Sequence, residues 1–164
     1  YDITSFTTEL LPEDKPRYLM GVGSPEDLVE CVAVGIDMFD CVLPTRVARN
    51  GSLFTSKGKI NIVGKKYRNL NQPVDLRCDC YTCVNFTASY LSHLFRSKEL
   101  LSYRLASIHN LHFITNLMAK IRNSIKLGEF NEFKNCFLNE YRPTNEKLRI
   151  DQKQKWLDIK KGNF

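Results

Sequence analysis

The chain has 164 residues, 43% of them hydrophobic, a formal net charge of +6 and six cysteines. That is enough to bury the core of one ordinary domain, which excludes a disordered or fibrous chain. No apolar run reaches membrane-spanning length and no basic-then-apolar signal segment opens the sequence, so a membrane partner is not expected and a cytoplasmic setting is.

The first residue is Tyr1 rather than Met, and residues Tyr1 to Pro16 read as a polar loop, with Leu10 and Leu11 as a local anchor and Pro12 and Pro16 as breakers. Such a start suggests a chain cut from something longer. Arg17 to Val22 reads as a short strand. Ser24-Pro25-Glu26-Asp27 is a helix start, with Ser as N-cap, Pro at the first helical position and acids in the first turn. Leu28, Val29, Val32 and Ala33 mark the buried face of that helix, and Gly35 stops it. Ile36 to Val42 returns to strand. A strand, helix, strand sequence at this spacing requires a parallel pair with a right-handed crossover, so Met20, Gly21 and Asp40 should line one sheet edge.

The stretch from Asp37 to Gly51 carries the chemistry. Apolar residues bracket Asp40 as in a buried strand. A break is expected at Pro44, then a loop bearing Arg46 and Arg49 and an Asn50-Gly51 turn. A carboxylate at the carboxyl end of a parallel strand, followed by basic forks, is how α/β enzymes offer a nucleophile or base to an anionic substrate. The alternative is that Asp40 caps the next loop and the arginines merely face solvent.

Ser52 to Thr55 and Ile60 to Val63, joined through Ser56-Lys57-Gly58-Lys59, read as a β-hairpin. Lys65, Lys66 and Arg68 make the following flank basic, and Asn69 to Arg77 reads as polar linker. Helices are expected over Val84 to Phe95, over about Glu99 to Leu127 with a candidate break near Ser107 and a stop at Gly128, and around Phe130 to Tyr141. From Lys120 onward eleven basic residues face six acidic ones, a balance that suits a polyanion such as RNA and equally a solvated helix face with a ragged tail. Trp156 and Leu157 are the only sizeable apolar pair of that tail.

Three cysteines fall within six residues: Cys78, Cys80 and Cys83, in the spacing C-x-C-x-x-C. Disulfide frameworks spread their cysteines, whereas this knuckle gathers thiolates on one ion in a reducing compartment. Tetrahedral zinc needs one more ligand, and His93, His109 and His112 are all candidates. Three thiolates and one imidazole leave no open position, which makes the site structural. Cys31, Cys41 and Cys136 read as small core residues.

Taken together, these stretches closely resemble the C-terminal portion of the bacterial tRNA-guanine transglycosylase (queuine tRNA-ribosyltransferase) family. The matching segments are Tyr18 to Gly23, Gly35 to Val42, Pro44-Thr45-Arg46, Ala48-Arg49-Asn50-Gly51, the cysteine knuckle and Ile108-His109-Asn110-Leu111, in the family's order and spacing. The resemblance covers roughly residues 12 to 141. It implies the C-terminal part of a (β/α)8 TIM barrel, an α/β fold, with an inserted zinc-binding subdomain and C-terminal helices. The implied division is residues 1–77 for the last barrel strands, the catalytic and RNA-contact loop and the hairpin, 78–110 for the zinc subdomain, 111–141 for C-terminal helices and 142–164 for a basic tail.

The implied activity exchanges the wobble guanine of tRNAs with a GUN anticodon for a 7-deazaguanine, with no cofactor in the reaction. Asp40 matches the nucleophile that attacks the ribose and forms a covalent RNA intermediate, as an aspartate does in retaining glycosidases. Tyr18, Met20 and Gly21 match the base pocket, Arg46 and Arg49 the anticodon-loop contacts, and His109 the fourth ligand of one structural Zn2+. The bacterial form Arg49-Asn50-Gly51 favours preQ1 over queuine, and a homodimer is implied. Ser24 departs from the basic residue that many relatives carry there. The family's general acid/base aspartate belongs to an N-terminal half that these residues do not include. The chain alone is therefore expected to bind zinc without exchanging bases, with an open, aggregation-prone sheet. A non-catalytic tRNA-binding or dimerisation fragment is the alternative; a truncated, non-functional product is a third reading.

Overall fold

The computed structural model describes residues 1–142, so Trp156, Leu157 and the rest of the basic tail lie outside the described residues. The described chain is mixed α/β. Its elements are α1 (Asp2–Leu10), β1 (Tyr18–Met20), α2 (Pro25–Ala33), β2 (Met38–Asp40), α3 (Leu43–Arg49), β3 (Ser52–Thr55), β4 (Gly58–Asn61), a 3-10 turn (Lys65–Tyr67), α4 (Tyr81–Asn85), α5 (Ala88–Arg96), α6 (Leu100–Leu127) and α7 (Phe130–Glu140).

The expected parallel pairing holds. β1 and β2 pair in parallel with Tyr18 opposite Met38, Leu19 opposite Phe39 and Met20 opposite Asp40. Between them α2 starts where Ser24 accepts from the Asp27 N–H, with Pro25 in its first turn. The inward face of α2 is shifted slightly: Leu28, Val29 and Cys31 are buried, Val32 is half-buried and Ala33 is exposed. Close approach explains one glycine of this unit. A Cβ on Gly23 would lie 2.5 Å from the Cβ of Cys41.

Several expectations need correction. Tyr1 to Pro16 is not all loop, because α1 occupies Asp2–Leu10, a run free of Gly and Pro; both prolines lie beyond its end. It is held from its inner side, where the Thr8 hydroxyl contacts the Val34 carbonyl at 2.6 Å, and Leu10 and Leu11 are exposed rather than anchors. Pro44 does not break the chain into a loop. It sits in the first turn of α3, where its missing N–H costs nothing. Gly51, at φ +73, then turns the chain into β3.

The hairpin is real but tighter than expected, with β3 and β4 joined by Ser56-Lys57 and Thr55 opposite Gly58. The single helix expected over Val84 to Phe95 is two, α4 and α5, because Phe86 is extended and Thr87 caps a new start by accepting from the Tyr90 N–H. α6 runs unbroken through Ser107, since no Gly or Pro interrupts it, and ends at Gly128 in the left-handed conformation. It buries Leu105, Leu117 and Ile121, while Leu111 and Ile125 face solvent.

Two apolar clusters meet on α6. Leu53, Ile62, Leu91, Leu94 and Leu105 form one between the hairpin, α3, α5 and α6. Val29, Leu117 and Ile121 form the other, with Phe113, Phe133 and Phe137 against it. Of the three scattered cysteines only Cys31 is buried; Cys41 is half-buried and Cys136 is exposed on α7. No helix of the described residues is long and apolar enough to cross a membrane.

Candidate nucleophile edge and metal centre

Asp40 is the last residue of β2 and is exposed, not buried as its apolar neighbours suggested. The parallel register brings β1 alongside it. The Tyr18 hydroxyl donates to Asp40 Oδ1 at 2.7 Å, and the Gly21 N–H points at the same oxygen at 3.3 Å. Gly21 has φ +76, which lets its amide also bond the Asp40 carbonyl at 3.0 Å. These donors set the acidity of the site. The hydrogen bond from Tyr18, then that from Gly21, holds the Asp40 carboxyl below its ordinary value of 3.8, and the same bond raises the Tyr18 phenol.

The strand pattern therefore placed Met20, Gly21 and Asp40 on one edge, as the register of β1 and β2 bears out, but missed that Tyr18, which entered through the resemblance as base-pocket wall, bonds the carboxylate. The signal was available, because Tyr18 and Met20 alternate onto one face of β1. Tyr18 and Met20 are 50% and 73% exposed, so this edge is an open surface in the described chain. Arg46 and Arg49 are both exposed on α3, three residues apart, where helical spacing makes neighbours of them. They sit on a helix rather than on the expected loop, which fixes their mutual spacing.

The basic character extends beyond these two. From Cys41 to Val74 there is no acidic residue, while Arg46, Arg49, Lys57, Lys59, Lys65, Lys66 and Arg68 all occur there. All seven are exposed.

The second cluster is closed. Cys78, Cys80, Cys83 and His109 bring one ligand atom each within 4.8 Å of one another, an arrangement that could hold a metal ion. His109 Nδ1 lies 3.8, 3.4 and 3.3 Å from the Sγ atoms of Cys78, Cys80 and Cys83. Of the three candidate histidines, His93 is exposed and His112 pairs with Asp79 at 2.7 Å, so neither joins the thiols. His109 Nε2 lies 2.6 Å from the Phe54 carbonyl. A carbonyl only accepts, so Nε2 carries the hydrogen and Nδ1 has the lone pair a metal needs.

The thiols are placed by helix chemistry. Cys80 is the N-cap of α4, and its sulfur accepts from the Cys83 N–H at 3.4 Å. Hydrogen bonds from Cys78 and then Cys83 pull the Cys80 thiol far down, towards thiolate. Burial opposes a charged His109, yet hydrogen bonds to Cys78 and Cys80 push it up to about 10. Four groups this close share protons, and a cation would take the place of those protons.

Two residues of this region were not singled out from sequence. Asp75, expected in a polar linker, is buried; its carboxylate accepts from the Ser56 hydroxyl and the Arg77 N–H, both at 3.0 Å, tying the hairpin turn to the knuckle. Asn110 is fully buried next to His109. Asn110 falls within the matching segment Ile108 to Leu111, but no role was assigned to it there, and nothing local distinguishes Asp75 from a surface carboxylate.

A family profile described as queuine tRNA-ribosyltransferase matches residues 1–143. A queuine tRNA-ribosyltransferase of Dehalococcoides mccartyi is 56% identical over 162 residues, 99% of this chain and 41% of that protein. One from Dictyoglomus turgidum is 53% identical over 159 residues, 97% of the chain and 41% of its own length. One from Helicobacter hepaticus is 56% identical over 137 residues, 84% of the chain and 36% of its own length. The chain thus spans about two fifths of the length of these relatives.

Proposed function

The chain belongs to the queuine tRNA-ribosyltransferase family, and from that premise we propose that it supplies the nucleophile, the RNA contacts and the metal centre of a tRNA-guanine transglycosylase. The observation that carries this is Asp40, a carboxylate kept ionised by Tyr18 and Gly21 at the carboxyl end of a parallel pair. Both of those bonds go to Oδ1, so Oδ2 is the oxygen left for attack.

In the proposed reaction Asp40 attacks C1′ of the wobble ribose. The bond from C1′ to guanine N9 breaks, guanine leaves with the electron pair, and an aspartyl-ribose ester forms. The incoming base, preQ1, then attacks C1′ from the opposite face through N9 and frees Asp40; the N9 proton it gives up balances the one the departing guanine takes up. Tyr18 orients the carboxylate, while the thioether of Met20 and the bare backbone of Gly21 border the flat base. Arg46 and Arg49 take the anticodon loop, and the acid-free basic tract from Arg46 to Arg68 supports RNA as partner.

The parallel pair is proposed as part of a (β/α)8 barrel, with the division of residues given above. The metal is proposed as one structural Zn2+ on Cys78, Cys80, Cys83 and His109, a full tetrahedral donor set without an open position. When bound it supplies a cross-link between the knuckle and α6, not reaction chemistry. Beside it Tyr81 meets Phe86 edge-on and Phe86 stacks on Tyr90, with Tyr81 58% exposed, which favours a second copy as partner.

Incorporation of labelled guanine into a tRNA with a GUN anticodon tests the proposal, using the chain alone and the chain supplemented with the remainder of the Dehalococcoides relative. Label is expected only with the remainder present and is lost in Asp40→Asn. Label that persists in Asp40→Asn overturns the nucleophile. No label under either condition, with tRNA still bound, favours the non-catalytic tRNA-binding reading.

A further inference from the structure

Asn110 follows the ligand His109 on α6 and has no exposed surface. Its three polar contacts reach two other elements. Oδ1 accepts from the Phe54 N–H at 3.0 Å, and Nδ2 donates to the Pro44 carbonyl at 2.9 Å and the Ser52 carbonyl at 3.0 Å. Pro44 lies in the first turn of α3, four positions after Asp40. The carbonyl of the same Phe54 faces His109 Nε2 at 2.6 Å. Two adjacent side chains therefore hold one strand residue by both of its backbone polar groups. One of them ends in the Cys3His cluster, and the other ends on the segment that leads from Asp40 to Arg46 and Arg49.

We propose that Asn110 is a positioning residue that links the Cys3His centre to the first turn of α3, so that filling the centre orders the backbone behind Asp40 and beneath Arg46 and Arg49. The functional weight of the link rests on the roles given above to those three residues; the link itself rests on geometry alone. Only an amide has the donors and the acceptor this position uses. A carboxylate keeps the bond from Phe54 but loses both donations, and an apolar side chain removes all three contacts and takes the side-chain partner from the buried Phe54 N–H. α3 is seven residues long, too short to be stable by its own hydrogen bonds, so its order depends on such anchors. Metal on His109 Nδ1 fixes the ring, the ring fixes Phe54, and Phe54 and Asn110 fix each other.

Hydrogen exchange read by mass spectrometry on the chain, with zinc bound and after chelation, tests this. The reporter is the α3 segment containing Arg46, whose N–H bonds the Val42 carbonyl at 2.9 Å. The reference is α2, where the Leu28 N–H bonds the Ser24 carbonyl at 3.0 Å. Chelation of the unaltered chain is expected to speed exchange in α3 about tenfold or more while α2 is unchanged. Asn110→Ser should keep stoichiometric zinc, show the fast α3 exchange with zinc bound, and gain nothing further on chelation. Asn110→Asp should free α3 while leaving Phe54 protected.

Zinc retained with α3 exchange at the unaltered rate in both variants overturns the link. So does α2 accelerating together with α3, which is general loosening. If neither variant folds, the chelation arm on the unaltered chain decides alone: selective α3 release supports the link, and no release or uniform release overturns it. Backbone exchange does not depend on turnover. Loss of the nucleophile assignment in the guanine assay would therefore leave this result standing, and the two failures can be told apart.

Discussion

The knuckle and hairpin region and the parallel pair are built on opposite plans. Around His109 the inner side is closed: Leu53, Ile62, Leu91 and Thr82 are fully buried, and the Thr82 hydroxyl bonds the Leu105 carbonyl at 2.7 Å. Along β1 and β2 the outward residues Tyr18, Met20 and Met38 are half-exposed or more, and Asp40 stands at the edge with two donors to its side chain among the described residues. The first region uses its polar side chains to hold backbone. The second leaves its polar and apolar groups for something else to touch. Sequence positions with equally strong motifs can thus do opposite physical work, and burial separates them.

The comparison is broken most severely at the metal. Cys80→Ser is expected to lose the ion and with it about 4 kcal/mol, because the cross-link that an ion would make between the knuckle and α6 is lost with its ligand. Metal content and urea unfolding of the same sample check this. Leu105→Ala, at 1% exposure, should cost about 3 kcal/mol through a cavity between the hairpin and α6. The matched change Met20→Ala, at 73% exposure, should stay within about 0.5 kcal/mol in the same urea series while weakening guanine binding. Equal costs at the two positions would erase the distinction. Thr87→Ala removes the cap whose oxygen takes the Tyr90 N–H at 3.2 Å, and about 1 kcal/mol is expected from the shift in the urea midpoint.

The smallest effect is on pH dependence. Asp40 has a depressed pKa in the folded chain, so its contribution is present above the ordinary carboxylate value of 3.8 and is lost as pH falls through the lower folded value. Between pH 5 and 8 the Asp40 carboxylate stays ionised, so as the proposed nucleophile it would add no acid limb to the exchange rate. Tyr18→Phe removes the largest cause of the depression and should move that limb upward, with no measurable change in stability because the pair is exposed. A pH–rate profile of both forms, each supplemented with the remainder of the Dehalococcoides relative, decides it; an unmoved limb would detach Tyr18 from the carboxylate.

Much of this was legible in the sequence, for specific reasons. The C-x-C-x-x-C spacing is chemistry written locally, and the Ser24-Pro25 cap with Gly35 beyond it delimits a crossover helix that forces two strands to run parallel. The choice of His109 over His93 and His112 needed either the family resemblance or the fold, since all three fit a helix. Asn110 and Asp75 were not legible, because their partners are 56 and 19 residues away and no short-range pattern encodes a contact of that kind. α3 was misread because Pro44 marks a helix start as readily as a break, and α1 because the breakers Pro12 and Pro16 just beyond its end masked the helical spacing of Ile3, Phe6 and Leu10. Asp40 was read as buried from its neighbours, although burial depends on what covers a two-stranded sheet, which those neighbours do not specify.

The central claim is that Asp40 is the atom donor in the covalent step. Its most direct test is intact mass and peptide mapping of the chain, supplemented as above, after incubation with a GUN anticodon stem-loop and no incoming base. An RNA adduct on the peptide carrying Asp40, absent in Asp40→Asn, is the expected result. An adduct mapped to any other residue, or exchange of guanine with no adduct at Asp40, would contradict it.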